Sequence, residues 1–195
     1  MGEYPSRIEA VSVALRFSVD DFDRLVESGF FIGPEKRRVE LVNGELREMA
    51  PIGPFHADVV TRLQEWSEAH KPTTVRVRVQ QSLRIIAWDS QPEPDIAWVK
   101  RKSYRDGHPT PADVLLLIEV ADSSLYEDRR EKMILYARAG IPEYWIVNIP
   151  DLQFEILRGP SDSGYTERQV LKIGDHAASL AFPDLQIPVA EAFGP

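Results

Sequence analysis

Short runs of apolar residues, separated by turn-forming residues, predict a series of β-strands through the middle of the chain. The clearest segments span residues 75–79, 83–88, 95–99, 114–120 and 144–149. Residues two apart share one face of a strand, and segment 114–120 is apolar on both faces except at Glu119. Such a strand is typical of the buried centre of a sheet that is covered on both sides.

Helical patterns lie before and between these strands. One helix is predicted from about residue 55 to residue 69, and a second, of about fifteen residues, follows Ser124. Ser124 and Glu127 have the spacing of a capping box, and Gly140 marks the end of this helix. The order of elements predicts a mixed sheet with helices on both faces, which places the chain in the α/β class.

Shorter elements are predicted near both ends of the chain. Ser18 and Asp21 have capping-box spacing for a short helix, and Asn43-Gly44 predicts a two-residue hairpin. Two or three shorter strands are expected in the last third, with turns at Gly159-Pro160 and at 161–164. Additional strands therefore flank the central sheet on the N-terminal and C-terminal sides.

The length of 195 residues is sufficient for one domain, so we predict an N-terminal tail over 1–17 and a single domain over 18–195. The chain has no cysteine, which excludes disulfides and thiolate sites. No run of about 18 apolar residues could span a membrane, and the start lacks the pattern of a signal peptide. No membrane partner is expected, and the expected location is the cytoplasm.

The net charge of −8 disfavours constitutive, nonspecific attachment to nucleic acid, because proteins that bind in that way are usually basic. It leaves room for a local basic surface. The acidity can also be concentrated at a place where a cation binds.

Two acidic residues occupy unusual positions in the predicted sheet. Glu119 lies in the most apolar strand, and Asp95 follows Pro94 at the start of another. A buried carboxylate costs several kcal/mol unless it is paired or bound to a metal. If the strands are neighbours, a hard divalent ion would relieve the repulsion between the two acids. Taken singly, pairing of Glu119 with an arginine and a turn-capping role for Asp95 are equally ordinary explanations.

Pro94-Asp95, followed 24 positions later by Glu119, resembles the PD-(D/E)xK nuclease superfamily. The resemblance implies that Asp95, Glu119 and the backbone carbonyl of Val120 bind Mg²⁺ or Mn²⁺. It also implies a lysine two residues after the acid, but that position holds Ala121.

The following helix offers Lys132 in place of the missing lysine. At about 100° per residue, Leu125, Lys132 and Tyr136 lie within about 40° of one another, at the border of the face that packs on the sheet. Lys132 can therefore reach the space above Glu119. A lysine that extends into solvent, or that pairs with Asp128 four residues earlier, fits the same pattern.

Three longer stretches resemble the Uma2 family of restriction-endonuclease-like proteins, whose lysine is displaced onto this helix. They are RVELVNGELREMAP, PEPDIAWV and LLLIEVADSSLYEDRREKMILYARAGIPEYWIVN. The resemblance covers nearly the whole chain after residue 16 and implies a restriction-endonuclease-like fold with a nuclease core over about 55–149. It implies catalytic roles for His56, Asp95, Glu119 and Lys132, and Glu40 and Gln81 also fall at family positions.

Each of these residues also has an ordinary structural explanation. His56 could cap or pack at a helix start, and Glu40 could pair with Arg37 or Arg47. The basic residues after the Asp95 strand could rim the cleft and hold phosphates, or form a solvated loop. These are Lys100, Arg101, Lys102 and Arg105, with Arg76 and Arg78 as an extension. Arg129 could pair with an acid near the site.

The predicted function is a metal-dependent endonuclease that hydrolyses phosphodiester bonds of nucleic acid, with DNA as the expected partner and a homodimer as one possible assembly. The alternative is a catalytically silent binding or accessory module with the same fold. Hydrolysis of a smaller phosphate ester is a weaker option.

Overall fold

The computed structural model describes residues 13–32 and 37–194. Residues 1–12 of the predicted tail lie outside the described residues. Phe17, at the end of the predicted tail, is attached to the fold, because its N–H donates to the Gly44 carbonyl at 2.9 Å. No helix in the described part of the chain is long and apolar enough to cross a membrane. A cytoplasmic location and the division into tail and domain stay predictions.

A six-stranded mixed sheet forms the centre of the structure, in the order β3-β4-β5-β6-β7-β8. Only β5 and β6 are parallel, and the other neighbours are antiparallel. The strands are β3 (Val75–Val79), β4 (Ile96–Lys100), β5 (Val114–Ala121), β6 (Glu143–Asn148), β7 (Gln153–Ser161) and β8 (Gly164–Lys172). The parallel pair needs a crossover, and the helical segment between β5 and β6 provides it.

Helices cover both faces of this sheet. On one face, α2 (Pro54–His70) and α5 (Val189–Phe193) pack on apolar side chains that alternate along the strands, such as Trp98 and Ile118. On the other face, α4 (Met133–Arg138) packs on the residues in between. The predicted α/β fold with a mixed sheet between helices is confirmed.

Two hairpins flank the sheet; the sequence predicted the first as a hairpin and the second only as additional strands. In the first, β1 (Val39–Val42) and β2 (Glu45–Glu48) are joined by Asn43-Gly44, with φ of 50° and 77°. Both values are positive, as a type I′ turn requires. In the second, β9 (His176–Ser179) pairs with β10 (Phe182–Pro188). The helix α1 (Val19–Glu27) begins with the predicted capping box of Ser18 and Asp21.

The predicted strand over 83–88 is wrong. Leu83 and Ile85 are buried, but the chain forms a 3₁₀ turn over Ile86–Trp88 and reverses at Asp89, with φ of 38°. The Ser90 hydroxyl donates to the Trp88 carbonyl and holds this reversal. The buried apolar side chains that suggested a strand therefore belong to a loop that packs on the sheet.

Four strands follow β6 in the described part of the chain, more than the two or three shorter ones expected. The turn predicted over 161–164 joins β7 to β8 and is confirmed. The predicted turn at Gly159-Pro160 is wrong, because both residues lie within β7. Pro160 pairs with Tyr165 near the hairpin end of the β7–β8 ladder. At that position the N–H that proline lacks removes few of the hydrogen bonds between the two strands.

The helical segment after β5 is not one regular helix. It consists of a single turn, α3 (Leu125–Glu127), a π-turn (Asp128–Lys132) and α4. The predicted capping box is absent, because the Ser124 hydroxyl donates to the Asp128 carboxylate at 2.7 Å instead of capping the first turn. The end is as predicted: Gly140 has a φ of 77°, and the N–H groups of Gly140 and Ile141 bond to the Ala137 and Tyr136 carbonyls in a Schellman motif.

Candidate active site

A cleft of about 590 Å³ opens where β5 ends. Its walls come from the β1–β2 hairpin, the start of α2, the segment before β4, the end of β5 and the π-turn. Among its described lining residues, nine are Asp or Glu and three are Lys or Arg. The cleft is therefore strongly acidic, and an anionic substrate would need a cation to enter it.

Asp95 and Glu119 lie side by side at the base of this cleft. The pairing of Ile96 with Ile118 sets the two acids on the same face of neighbouring strands. The Asp95 N–H donates to Glu119 Oε2 at 3.1 Å, and the Val120 N–H donates to Asp95 Oδ2 at 2.9 Å. Both carboxylates are buried, as the apolar surroundings of Glu119 suggested.

Pro94 changes the hydrogen bonding of the adjacent strand. The register that pairs Ile96 with Ile118 places Pro94 opposite Val120, and proline has no N–H to donate to the Val120 carbonyl. The N–H and C=O of a strand residue point to the same side, and the Val120 N–H points to Asp95. The Val120 carbonyl therefore faces the side of β5 on which Asp95 lies. It lacks the backbone N–H donor that a non-proline residue at position 94 would supply.

Lys132 lies among three carboxylates on the wall of the cleft. Its Nζ is 3.1 Å from Glu119 Oε1, 3.6 Å from Glu40 Oε1 and 3.9 Å from Asp128 Oδ1. Burial opposes its charge, but the carboxylates outweigh burial and raise the pKa of Lys132 above its usual value. The side chain therefore stays cationic and does not extend into solvent.

The π-turn explains how Lys132 reaches this position. The Met133 N–H bonds to the Asp128 carbonyl five residues earlier, so the turn holds more than the usual 3.6 residues. Residues four apart then point in nearly the same direction. Asp128 and Lys132 consequently face the cleft together.

Glu119 is the most perturbed acid of the cluster. Burial raises its pKa to about 8; Lys132 opposes this shift, whereas Asp128, Asp95 and Glu40 add to it. A negative charge on this group is therefore costly, because only one lysine compensates it. A divalent cation at this position would supply the missing positive charge.

His56, in the first turn of α2, holds Asp95 from the opposite side. Its Nε2 is 3.1 Å from Asp95 Oδ1. Burial works against both charges, but the contact raises the pKa of His56 and lowers the pKa of Asp95. The pair is therefore drawn towards an ion pair at the cleft wall.

Three further residues belong to the site, and of these the sequence had suggested only Asp128, as a partner of Lys132. The Tyr136 hydroxyl donates to Glu119 Oε1 at 2.8 Å, and the Gln80 amide donates to Asp95 Oδ1 at 3.1 Å. Asp128 is buried, and its Oδ1 has no hydrogen-bond partner. The α-helical spacing of Tyr136 from Lys132 could have indicated the first contact.

Two family positions turn out differently from one another. Glu40 lies in the site beside Lys132. The suggested ion pair between Glu40 and Arg47 is wrong, because Arg47 pairs with Glu131 and Glu45. Gln81 is exposed, and the neighbouring Gln80 contacts Asp95.

The predicted basic rim is not at the cleft. Lys100 ends β4 whereas Asp95 precedes it, so about 17 Å of strand separates them. Lys102 pairs with Asp113 at 2.7 Å, and Lys100 and Arg101 donate to the carbonyls of residues 112 and 73. None of Lys100, Arg101, Lys102 and Arg105 lines the cleft. The prediction failed because Asp95 lies just before the start of β4, whereas these basic residues lie at its other end, away from the cleft.

Arg129 has a structural partner away from this cluster. Its guanidinium bonds to Glu155, a buried acid of β7 that also accepts from Arg168 and Asn148. Burial opposes the charge of Glu155, but these donors outweigh burial and lower its pKa.

Replacing Glu155 by glutamine should lower the free energy of unfolding by about 1–3 kcal/mol at pH 7, because two partly exposed arginines lose their shared buried partner. A lowered pKa gives stability that is present above the unfolded pKa of about 4.3 and lost as pH falls through the folded pKa. The difference from wild type should therefore shrink in urea unfolding curves at about pH 3. The exposed Glu167→Gln on β8 is the matched control, and an equal loss in both variants would contradict the assignment.

The acidic residues of the cleft fit a divalent ion that completes its coordination shell from solvent and substrate. In residues 13–32 and 37–194, no three His, Asp or Glu side chains are arranged to hold a metal on their own. Mg²⁺, however, commonly takes only one or two carboxylates and completes its shell with water and substrate phosphate. Asp95, Glu119 and the Val120 carbonyl match that requirement in oxygen chemistry, and the excess of carboxylates over Lys132 matches it in charge.

A mixed sheet between helices, with two acids and a buried lysine at the end of the central strand, is the arrangement of the restriction-endonuclease-like nucleases. The chain belongs to the Uma2 family: the family model, described as "Putative restriction endonuclease", matches residues 19–190. No curated protein sequence matches it.

A solved structure from Anabaena variabilis, described as "a putative nuclease belonging to DUF820", has a similar fold. Its TM-score is 0.67 at 14% sequence identity, over 91% of this chain and 97% of that chain. At this identity the likeness shows the fold.

Proposed function

We propose that the protein is a divalent-metal-dependent endonuclease that hydrolyses phosphodiester bonds, with DNA as its substrate. The observation that carries this proposal is the contact of Lys132 with Glu119, beside Asp95, in an acidic cleft. Asp95, Glu119 and the Val120 carbonyl would hold Mg²⁺ or Mn²⁺. When bound, such an ion polarises the phosphate and stabilises the charge that develops on it.

Lys132 acts as a cation in this mechanism. Because its pKa is raised, it cannot take a proton from water at neutral pH. Its positive charge instead favours ionisation of a water in the cleft and stabilises the growing negative charge on the phosphate oxygens. The hydroxide oxygen bonds to phosphorus, and the bond to the departing sugar oxygen breaks. The water proton leaves to solvent, and the sugar oxygen takes one up.

The neighbouring residues fix this geometry. Tyr136 holds the Glu119 oxygen that Lys132 also contacts, so the acid and the lysine keep one orientation. His56 and Gln80 share Asp95 Oδ1 and orient its carboxylate. His56 also lines the cleft and can donate to a phosphate oxygen.

The test is a cleavage assay with supercoiled DNA, linear duplex DNA, single-stranded DNA, RNA and a small phosphodiester. Cleavage of DNA in Mg²⁺ or Mn²⁺, its loss in EDTA and its loss in Asp95→Asn would support the proposal. Glu143→Gln is the control, because Glu143 is also a buried acid but lies at the start of β6, at the end of the sheet away from the cleft.

The same assay distinguishes the alternatives. Hydrolysis of the small diester alone would indicate a smaller phosphate ester as substrate. A folded protein that cleaves nothing would favour the silent binding module, which agrees with the fact that every oxygen of Asp95 and Glu119 is already hydrogen-bonded within the protein.

A further inference from the structure

A cluster of cations surrounds one aromatic ring on the edge of the sheet. Lys102 Nζ, Arg78 Cζ and Arg76 Cζ lie 5.3, 5.5 and 5.9 Å from the centre of the Tyr104 ring. The Tyr104 hydroxyl donates to the Lys100 carbonyl at 2.7 Å and fixes the ring. Cation–π contacts of this length hold the charged groups in place. We call these four residues the Tyr104 cluster.

The two arginines of the Tyr104 cluster carry charge that no acid balances. Lys102 pairs with Asp113, but in the described part of the chain Arg76 and Arg78 have no ion-pair partner. Burial and the neighbouring Arg76 lower the pKa of the Arg78 guanidinium, and its Nε makes no hydrogen bond. Two adjacent guanidiniums without a carboxylate are suited to an external anion, and their fork-like donors match phosphate.

The Tyr104 cluster leads to the cleft along the edge strand. Arg76 and Arg78 alternate with the buried side of β3. They pair with Val99 and Ala97 of β4, on the sheet face that also carries Asp95. Alternate residues of a strand are about 7 Å apart. Phosphates along one DNA strand are spaced by about 3.4 Å in the direction of the helix axis, so two such steps cover nearly the same length. A sugar–phosphate backbone that follows β3 would therefore meet Arg76, then Arg78, and reach the acids of the cleft.

We propose that Arg76 and Arg78, held by Tyr104 and flanked by Lys102, bind the phosphate backbone of nucleic acid and guide it along β3 into the cleft. This inference rests on the proposed nuclease function and assigns the substrate contact outside the catalytic centre. The acidic cleft repels a polyanion, so the binding free energy has to come from a basic surface beside it. The Tyr104 cluster provides such a surface on a chain whose net charge is −8.

The test is the binding of a fluorescent DNA duplex, measured by anisotropy in EDTA over a range of salt concentrations. Arg76→Gln combined with Arg78→Gln should weaken binding about tenfold or more and reduce the slope of log affinity against log salt by about 2, because each phosphate contact contributes about 1. The combination of Arg76→Lys with Arg78→Lys should retain most of the slope. Arg62→Gln combined with Lys71→Gln removes the same charge from α2, on the other face of the sheet, and should change the affinity less than about twofold.

Two results would overturn the inference: a glutamine variant that binds DNA with the affinity and salt slope of wild type, or a wild type that does not bind DNA at low salt. If the arginines only protect the edge strand from pairing with other chains, the glutamine variant will self-associate on size exclusion and bind DNA unchanged. Because EDTA prevents metal-dependent cleavage, this assay measures DNA binding independently of catalysis. A protein that binds DNA through the Tyr104 cluster but fails to cleave it in the metal-dependent assay would refute the proposed function and leave this inference intact.

Discussion

Replacing Lys132 by methionine is expected to reduce cleavage by about 100-fold to 10 000-fold, the range over which positioned proton-transfer and charge-stabilising groups contribute. Methionine keeps the length of the apolar stem and removes only the charge that faces Glu119. The measurement is the single-turnover cleavage rate at saturating Mg²⁺, which separates chemistry from DNA binding.

Lys132→Met also leaves Glu40, Glu119 and Asp128 without their shared cation. Burial raises the pKa values of Glu119 and Asp128 to about 8 and about 6, and both should rise further in the variant, because Lys132 opposes these shifts. Acids with raised pKa values are better tolerated at lower pH, so the variant should lose more stability at pH 8 than at pH 6. Thermal unfolding at both values checks that the protein is folded under the assay conditions.

Lys71→Met is the control for this prediction, because Lys71 pairs with Glu68 on α2, away from the cleft. It should cleave at the wild-type rate. A folded Lys132→Met variant that cleaves as fast as wild type would remove the lysine from the mechanism and leave it to Asp95, Glu119 and His56.

Mn²⁺ should bind the wild-type protein at neutral pH, and Asp95→Asn and Glu119→Gln should each weaken this binding by at least roughly 100-fold. Each substitution removes one of two charged ligands, and hard cations depend on carboxylate oxygens. Isothermal titration measures the loss directly. A parallel rise of the melting temperature with Mn²⁺ is expected in wild type alone, because a ligand that binds only the folded state stabilises it.

Glu143→Gln serves as the control variant for the metal titration as well, and it should bind Mn²⁺ like wild type. Tight binding that persists in Asp95→Asn and Glu119→Gln would place the ion elsewhere and contradict the ligand assignment. Absence of binding in every protein, with and without DNA, would favour the silent module.

The sheet could be predicted because its residues follow simple periodicities. Val75, Val77 and Val79 alternate with polar residues, as expected of an edge strand with one buried face. The strand around Glu119 is apolar on both faces, as expected of a strand at the centre of the sheet. The segment 83–88 misled because Leu83 and Ile85 are buried against the sheet without joining its ladder. Apolar content alone does not distinguish these two ways to be buried.

The site was predictable as far as side chains are tied to the sheet. Asp95 and Glu119 meet because neighbouring strands fix both. Lys132 was within reach of Glu119 by helical geometry. The π-turn that directs it, and the Asp128 oxygen that makes no hydrogen bond, depend on packing that no local pattern reveals. The basic residues after β4 were misplaced because distance along the sequence was taken for distance in space.

The extra residue in the π-turn makes this segment intolerant of changes in length. Deleting one residue between Asp128 and Lys132 would restore a regular helix and rotate the following side chains by about 100° against the preceding turn. Either Tyr136 would leave Glu119 and the sheet, or Asp128 would leave the cleft. Related chains that keep the site should therefore vary freely at the solvent side of this helix while conserving its residue count, so that alignment gaps fall before Ser124 or after Gly140.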